Sequence, residues 1–271
     1  MGKEISKIRV TTLRQMKEAG RKIAMLTAYD TITGRWADAG GIDVVLVGDS
    51  LGNTALGLDN PTQVTLRDML PHCVAVARGV RRALRVGDMP FMTYKISPEQ
   101  ALENCGRMIQ ESNMEAVKLE GGREVALTVE RLVGAGIPVM GHIGLTPQSY
   151  HAMGGYRVQG RDEAAAQRLL DDAQALAAAG AFALVLEGIP AELAARITAE
   201  LAIPTIGIGA GGDCDGQVLV LADMLGMTDT RRPRLARQYA DFYSLAQAAI
   251  QTYAQEVRDG DFPGPENTYG G

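Results

Sequence analysis

Residues 116–142, AVKLEGGREVALTVERLVGAGIPVMGH, read as a short apolar strand, a helix-like stretch and a second short apolar strand. The runs at 116–119 (AVKL) and 138–142 (PVMGH) are too short for helices and show no polar alternation. Such runs suit strands buried on both faces of a parallel sheet. Two parallel strands need a crossover, and the segment at about 123–135 supplies a helix of the right length.

The same alternation repeats in both directions. Further short runs lie at 23–27 (IAMLT), 44–47 (VVLV), a run ending near Asp88, 182–186 (FALVL), 205–208 (TIGI) and 217–221 (QVLVL). For the third strand LRVGD is preferred over PFMTY, because Pro90 stands near its end. Helix-like segments cover about 31–40, 65–83, 98–112, 163–179, 191–202 and 233–257, with another before the first strand at 12–19. Pro98 sits where a first helical turn tolerates proline, and Gly180 follows the alanine-rich helix as a stop. Eight strands alternating with helices predict an α/β (βα)₈ TIM barrel with an extra N-terminal helix. A doubly wound open sheet is the competing arrangement. One domain over 1–258 and a Gly/Pro-rich tail over 259–271 (DGDFPGPENTYGG) complete the expected organisation.

Composition narrows the function classes. The 271 residues are 46% hydrophobic and 22% charged, enough for a large core. Glycine is abundant at 32 residues, while aromatics make up only 5% with one Trp, which argues against a base-stacking surface. The formal charge of −5 excludes a globally basic face for nucleic acid. Cys73, Cys105 and Cys214 lie 32 and 109 residues apart, neither a metal-knuckle spacing nor a disulfide framework. With no apolar run near 18 residues, the expectation is a cytoplasmic protein with no membrane partner.

A barrel carries its active site at the C-terminal strand ends. Those ends supply Asp49-Ser50, Asp88, Lys118 with Glu120, His142 and Glu187. Each Asp alone is as easily a turn former or helix cap, and His142 reads by default as a satisfied strand-end histidine. Together, four carboxylates around one mouth repel one another unless a cation joins them, and a hard divalent ion such as Mg²⁺ suits oxygen donors. No HExxH or paired-histidine spacing points to zinc. Gly207, Gly209 and Gly212 satisfy G-x-G-x-x-G, but after the seventh strand and with no apolar helix following, so no dinucleotide site is expected.

Eight motifs carry a resemblance: LTAYD (26–30), VLVGDSLGNTALG (45–57), GDMPFMTY (87–94), VKLEGG (117–122), GHIGLTPQS (141–149), GGYRVQGR (154–161), LVLEGIP (184–190) and IPTIGIGAGGDCDGQVLV (203–220). In this order, from about residue 6 to 265, the chain resembles the ketopantoate hydroxymethyltransferase family. The resemblance implies a (βα)₈ barrel, Mg²⁺, and transfer of a hydroxymethyl group from 5,10-methylenetetrahydrofolate to 3-methyl-2-oxobutanoate. The product would be 2-dehydropantoate, at the first committed step of pantothenate biosynthesis. It implies metal-associated carboxylates at Asp49, Asp88 and Glu120, keto-acid contacts at Asp49, Ser50, Asp88 and Lys118, and a proton acceptor at Glu187. It also implies a cytoplasmic homodecamer. The chemistry asks for such a division: an enolate stabilised by Mg²⁺, and a base, Glu187, standing off the metal so that it stays basic. The runner-up is a Mg²⁺-dependent C–C lyase or mutase of the phosphoenolpyruvate/pyruvate barrel type. A remoter rival is a catalytically silent barrel, which should have lost some of these acids.

Overall fold

Helix α1 (Val10–Glu18) leads into the strands β1 (Ile23–Thr27), β2 (Val44–Val47), β3 (Leu84–Asp88), β4 (Ala116–Glu120), β5 (Val139–Gly144), β6 (Ala183–Glu187), β7 (Thr205–Ile208) and β8 (Gly216–Leu219). In the computed structural model, which describes residues 6–229 and 233–269, these strands close a barrel in sequence order, every neighbouring pair parallel. The closed sheet excludes the doubly wound alternative. Between the strands run α2 (Thr31–Ala39), α3 (Leu51–Thr54), α4 (Leu66–Gly79), α5 (Pro98–Ser112), α6 (Ala126–Gly134), α7 (Tyr150–Met153), α8 (Glu163–Ala178) and α9 (Ala191–Glu200). Two compact units make up the chain, Met1–Val220 with the barrel and Leu221–Gly271. The second unit holds α10 (Leu221–Leu225) and α11 (Phe242–Asp259).

Local chemistry explains where the helices start. Asp30, Thr65, Ser97 and Asp162 each accept a hydrogen bond from a backbone N–H in the first turn of α2, α4, α5 and α8. Such caps satisfy donors that the helix itself leaves unpaired. The barrel interior is packed with Ile23, Met25, Val44, Leu46, Val86, Met140, Val185 and Ile206, and Leu13 and Met16 of α1 join that cluster at the strand starts. The same end is tied by Ile8 N–H to Arg82 O (2.8 Å), and by Lys17 Nζ to Asp215 Oδ2 (2.7 Å).

Several boundaries differ from the sequence reading. The eighth strand spans 216–219 rather than 217–221, because Leu221 begins α10. Helix α4 stops at Gly79 rather than running to 83. The backbone N–H groups of Arg81, Arg82 and Ala83 all donate to the Asp38 carboxylate, which holds them out of the helix. The stretch at 123–135 divides into a 3₁₀ turn (Arg123–Val125) and α6. The long C-terminal helix starts at Phe242, not 233, because Asp241 caps it through Ser244 N–H. Residues 230–232 and 270–271 of the expected segments lie outside the described residues.

Candidate active site

The parallel register sets the polar residues side by side. Asp88 pairs with Lys118 across β3 and β4, Glu120 with His142 across β4 and β5, and Gly144 with Glu187 across β5 and β6. Lys118 and Glu120, two residues apart on one strand, point to the same face. All the site residues read from the sequence, Asp49, Ser50, Asp88, Lys118, Glu120 and Glu187, line one cavity of about 110 Å³, and His142 joins them. Thr27, Leu46, Val185 and Ile208 supply apolar or small walls. The volume suits a small acid rather than a drug-sized or dinucleotide ligand, which needs roughly 300 Å³ or more.

The charges form a chain. Lys118 Nζ lies 2.8 Å from Asp88 Oδ1, 3.6 Å from Glu120 Oε1 and 3.1 Å from His142 Nδ1. His142 Nε2 reaches Glu187 Oε2 at 3.2 Å, and Nδ1 lies 3.4 Å from Glu120 Oε1. Asp49 meets Asp88 through its backbone N–H, which donates to Oδ2 at 3.2 Å. Ser50 Oγ is 2.8 Å from Tyr29 OH, which in turn accepts from Thr27 Oγ1 at 3.0 Å.

Burial dominates the electrostatics. It pushes the Asp49 carboxyl well above its usual range, and the Asp88 and Glu120 charges push it further. Burial also raises Asp88, against the pull of the Lys118 ammonium. Glu120 goes the other way. Burial would raise it, but Lys118, His142 and the Gln148 N–H hold it down at about 2. Burial and the Lys118 charge oppose protonation of His142, yet its contacts with Glu120 and Glu187 hold it up at about 9. Lys118 is lifted above the ordinary lysine value because the attraction of Asp88, Glu120 and Asp49 outweighs its burial.

A hard cation fits this donor set. Asp88 Oδ1 and Glu120 Oε1 are buried and have no hydrogen-bond partner, although Lys118 Nζ lies 2.8 and 3.6 Å from them, and the same holds of His142 Nε2. The raised Asp49 and Asp88 carboxyls mark uncompensated negative charge that a divalent ion would neutralise. Among the described residues, no group of three or more His, Cys, Asp or Glu side chains is arranged to hold a metal by itself. Mg²⁺ does not demand such a cage, because it keeps several waters and takes one or two carboxylates plus substrate oxygens.

Three residues of the site escaped the sequence reading. His142 was set aside as a structural strand-end histidine, and it stands between Glu187 and the Lys118–Glu120 pair. Gln148 and Tyr94 hydrogen-bond to the carboxylate-bearing loops from behind. The signal for His142 was its place at the end of β5, the same rule that singled out the acids. The glycine pattern after β7 leads into bends and then β8, with no helix for a dinucleotide phosphate.

The family model for ketopantoate hydroxymethyltransferase matches residues 7–265. A 3-methyl-2-oxobutanoate hydroxymethyltransferase from Carboxydothermus hydrogenoformans is 55% identical over 98% of this chain and 96% of that protein. Another from Oleidesulfovibrio alaskensis is 56% identical over 92% of this chain and 86% of its own length. Among solved structures, phosphonopyruvate hydrolase in complex with oxalate and Mg²⁺ superposes with a TM-score of 0.60 at 13% identity, covering 95% of this chain and 92% of that one. For 2,3-dimethylmalate lyase, a PEP mutase/isocitrate lyase superfamily member, the TM-score is 0.56 at 17% identity, over 95% and 92% of the two chains. These two share the fold alone.

Proposed function

The chain belongs to the ketopantoate hydroxymethyltransferase family, and from that premise we propose that it moves a hydroxymethyl group from 5,10-methylenetetrahydrofolate to 3-methyl-2-oxobutanoate. The product is 2-dehydropantoate, the entry into pantothenate biosynthesis. One observation supports the reading most strongly. A fourth carboxylate, Glu187, lines the same cavity from the end of β6, and its side chain meets the Lys118–Glu120 pair through His142. A carbon acid reaction needs a carboxylate kept off the metal, so that it retains its basicity.

In this mechanism Asp49, Asp88 and Glu120 would hold Mg²⁺. When bound, Mg²⁺ supplies Lewis-acid polarisation of the substrate's keto and carboxylate oxygens. Ser50 and Lys118 contact the keto acid. Glu187 takes the proton from C3, next to the ketone. His142 Nε2 lies beside that carboxylate at 3.2 Å and limits where it can turn. The electron pair left on C3 forms the new bond to the methylene carbon of the donor. The two C–N bonds of the donor's methylene bridge break in turn, water supplies the hydroxyl, and one proton from water together with the one taken by Glu187 end on the two nitrogens of the departing tetrahydrofolate.

Turnover with both substrates, with and without EDTA, tests the whole reading, and turnover of the keto acid without folate would instead favour a lyase or mutase. Glu187→Gln tests the base. The variant keeps keto-acid binding, while exchange of deuterium into C3 of 3-methyl-2-oxobutanoate, followed by NMR, drops about 100-fold or more. Exchange near the wild-type rate removes Glu187 from this role.

A cytoplasmic homodecamer belongs to the same proposal. Cytoplasmic placement is supported by three buried cysteines that are all free thiols. Among the described residues no helix is long and apolar enough to cross a membrane. Self-association is supported by α11, which has no buried residue and exposes Leu245, Ile250, Tyr253 and Val257. Isolated helices of this length are marginal in water unless an apolar face is covered. Sedimentation at micromolar concentration should show a species of ten chains, and a monomer would refute the assembly.

A further inference from the structure

Gln148 makes no contact with the cavity, yet it holds the residues that do. It lies in the 3₁₀ turn Pro147–Ser149 after β5 and is 2% exposed. Pro147 lines the cavity beside it, while Gln148 is absent from the lining. Its backbone N–H donates to Glu120 Oε2 at 2.9 Å. Its side-chain Nε2 donates to Asp49 Oδ2 and to Met89 O, both at 2.9 Å. Its Oε1 accepts from Tyr94 OH at 2.7 Å. Tyr94, itself 1% exposed, is tied to the Glu120 backbone by contacts of its hydroxyl with both N and O, at 3.0 and 2.9 Å.

These bonds use both amide protons and the amide oxygen. They also fix which way the amide points. A flipped Gln148 would set its oxygen against Asp49 Oδ2 and Met89 O, two acceptors, and would turn its NH₂ toward Tyr94. In a buried site that arrangement leaves unpaired polar groups, which is costly. The consequence reaches three strands. One residue links the loops after β2 and β3 with the end of β4. Asp49 in turn donates its own N–H to Asp88 Oδ2. In Glu120 and Asp88, therefore, one oxygen is held by the frame, while Glu120 Oε1 and Asp88 Oδ1 are left without a hydrogen-bond partner.

We propose that Gln148 is a positioning residue for the cation site: its amide clamp, backed by Tyr94, orients the Asp49 carboxylate and holds the turn whose backbone N–H orients Glu120, so that a divalent ion meets preset oxygens. The inference rests on the cation-dependent function proposed above. It differs from a merely structural role, because the clamp acts on carboxylate direction and so on cation affinity. Partners behind metal-bound carboxylates commonly change affinity 10- to 100-fold when removed.

The test measures Mn²⁺ binding to the substrate-free protein by the EPR signal of free ion, so it does not depend on turnover. Gln148→Met keeps the side-chain length and removes all three amide contacts. The expected result is a 10- to 100-fold weaker Mn²⁺ affinity. In parallel, the Mg²⁺ concentration for half-maximal activity rises similarly, and kcat largely recovers at saturating Mg²⁺. Far-UV circular dichroism should stay unchanged. Should Gln148→Met not fold, Tyr94→Phe provides the second arm. It removes only the hydroxyl behind the amide, and a smaller weakening of about 3- to 10-fold is expected. A folded variant that binds Mn²⁺ as the wild type does would overturn the clamp while leaving the function reading intact. A wild-type protein that binds no Mn²⁺ at all would instead overturn the cation site itself, and the clamp with it.

Discussion

His142 joins the two halves of the cavity, with one ring nitrogen beside Lys118 and Glu120 and the other beside Glu187. Shortening it to His142→Asn takes the contact away from Glu187 and leaves that carboxylate free to turn. Misplacement of a reacting group by about 1 Å costs on the order of 100-fold. Steady-state kinetics should therefore show kcat down by about that factor, with keto-acid KM little changed. An unchanged kcat would leave His142 a packing residue. The acids were legible in the sequence because a single rule finds them: in a barrel, polar residues at strand ends face one mouth. Gln148 and Tyr94 obey no such rule. Tyr94 lies in a bend and Gln148 in a 3₁₀ turn. What matters about them is a meeting 54 residues apart in the chain, and only the closed fold reveals it.

Strand β5 meets β6 closely where the proposed base is mounted. Gly144, at φ +93°, stands opposite Glu187 in the register, and Leu145 N–H donates to Glu187 O at 2.8 Å. A Cβ on Gly144 would collide with that same carbonyl oxygen and with Ile189. Backbone cannot yield as a side-chain tip does, so Gly144→Ala must shift the end of β6. We expect a loss of about 1–3 kcal/mol in chemical denaturation. We also expect C3 proton exchange to fall by more than the loss of folded protein explains. Normal exchange in the folded variant would show that β6 tolerates the shift. At this scale the strands were readable from their short apolar runs, and LRVGD was indeed the third. Helix ends were less so, because what ends α4 is the Asp38 carboxylate, more than 40 residues away. The start of α11 depended on one local cap at Asp241 inside a stretch with helical composition.

Across the molecule, the two ends of the barrel are finished differently. At the strand-start end, Lys7 Nζ bonds Glu115 Oε2 at 2.6 Å, and Arg85 Nε reaches the same oxygen at 3.1 Å. Burial pushes the Glu115 carboxyl up, but the Lys7 bond and the Arg85 N–H outweigh it and hold it below its ordinary 4.5. A depressed carboxyl stabilises the fold above the unfolded-state value, and that contribution disappears as pH falls through the folded value. Glu115→Gln should thus melt below the wild type at about pH 7, and the two melting curves should converge below about pH 4.5. A gap that stays constant with pH would assign the effect to packing.

Leu13 and Met16 of α1 cork that end with apolar side chains. The charged cavity lies at the opposite, C-terminal ends of the strands. For the proposed reaction we expect ordered entry, the small acid first into a chamber of about 110 Å³ and the bulky carrier after it. On the way out we expect the queue to reverse, the spent carrier leaving before the newly lengthened acid. Such a timetable of arrivals and departures would follow from the cork at the far end of the barrel.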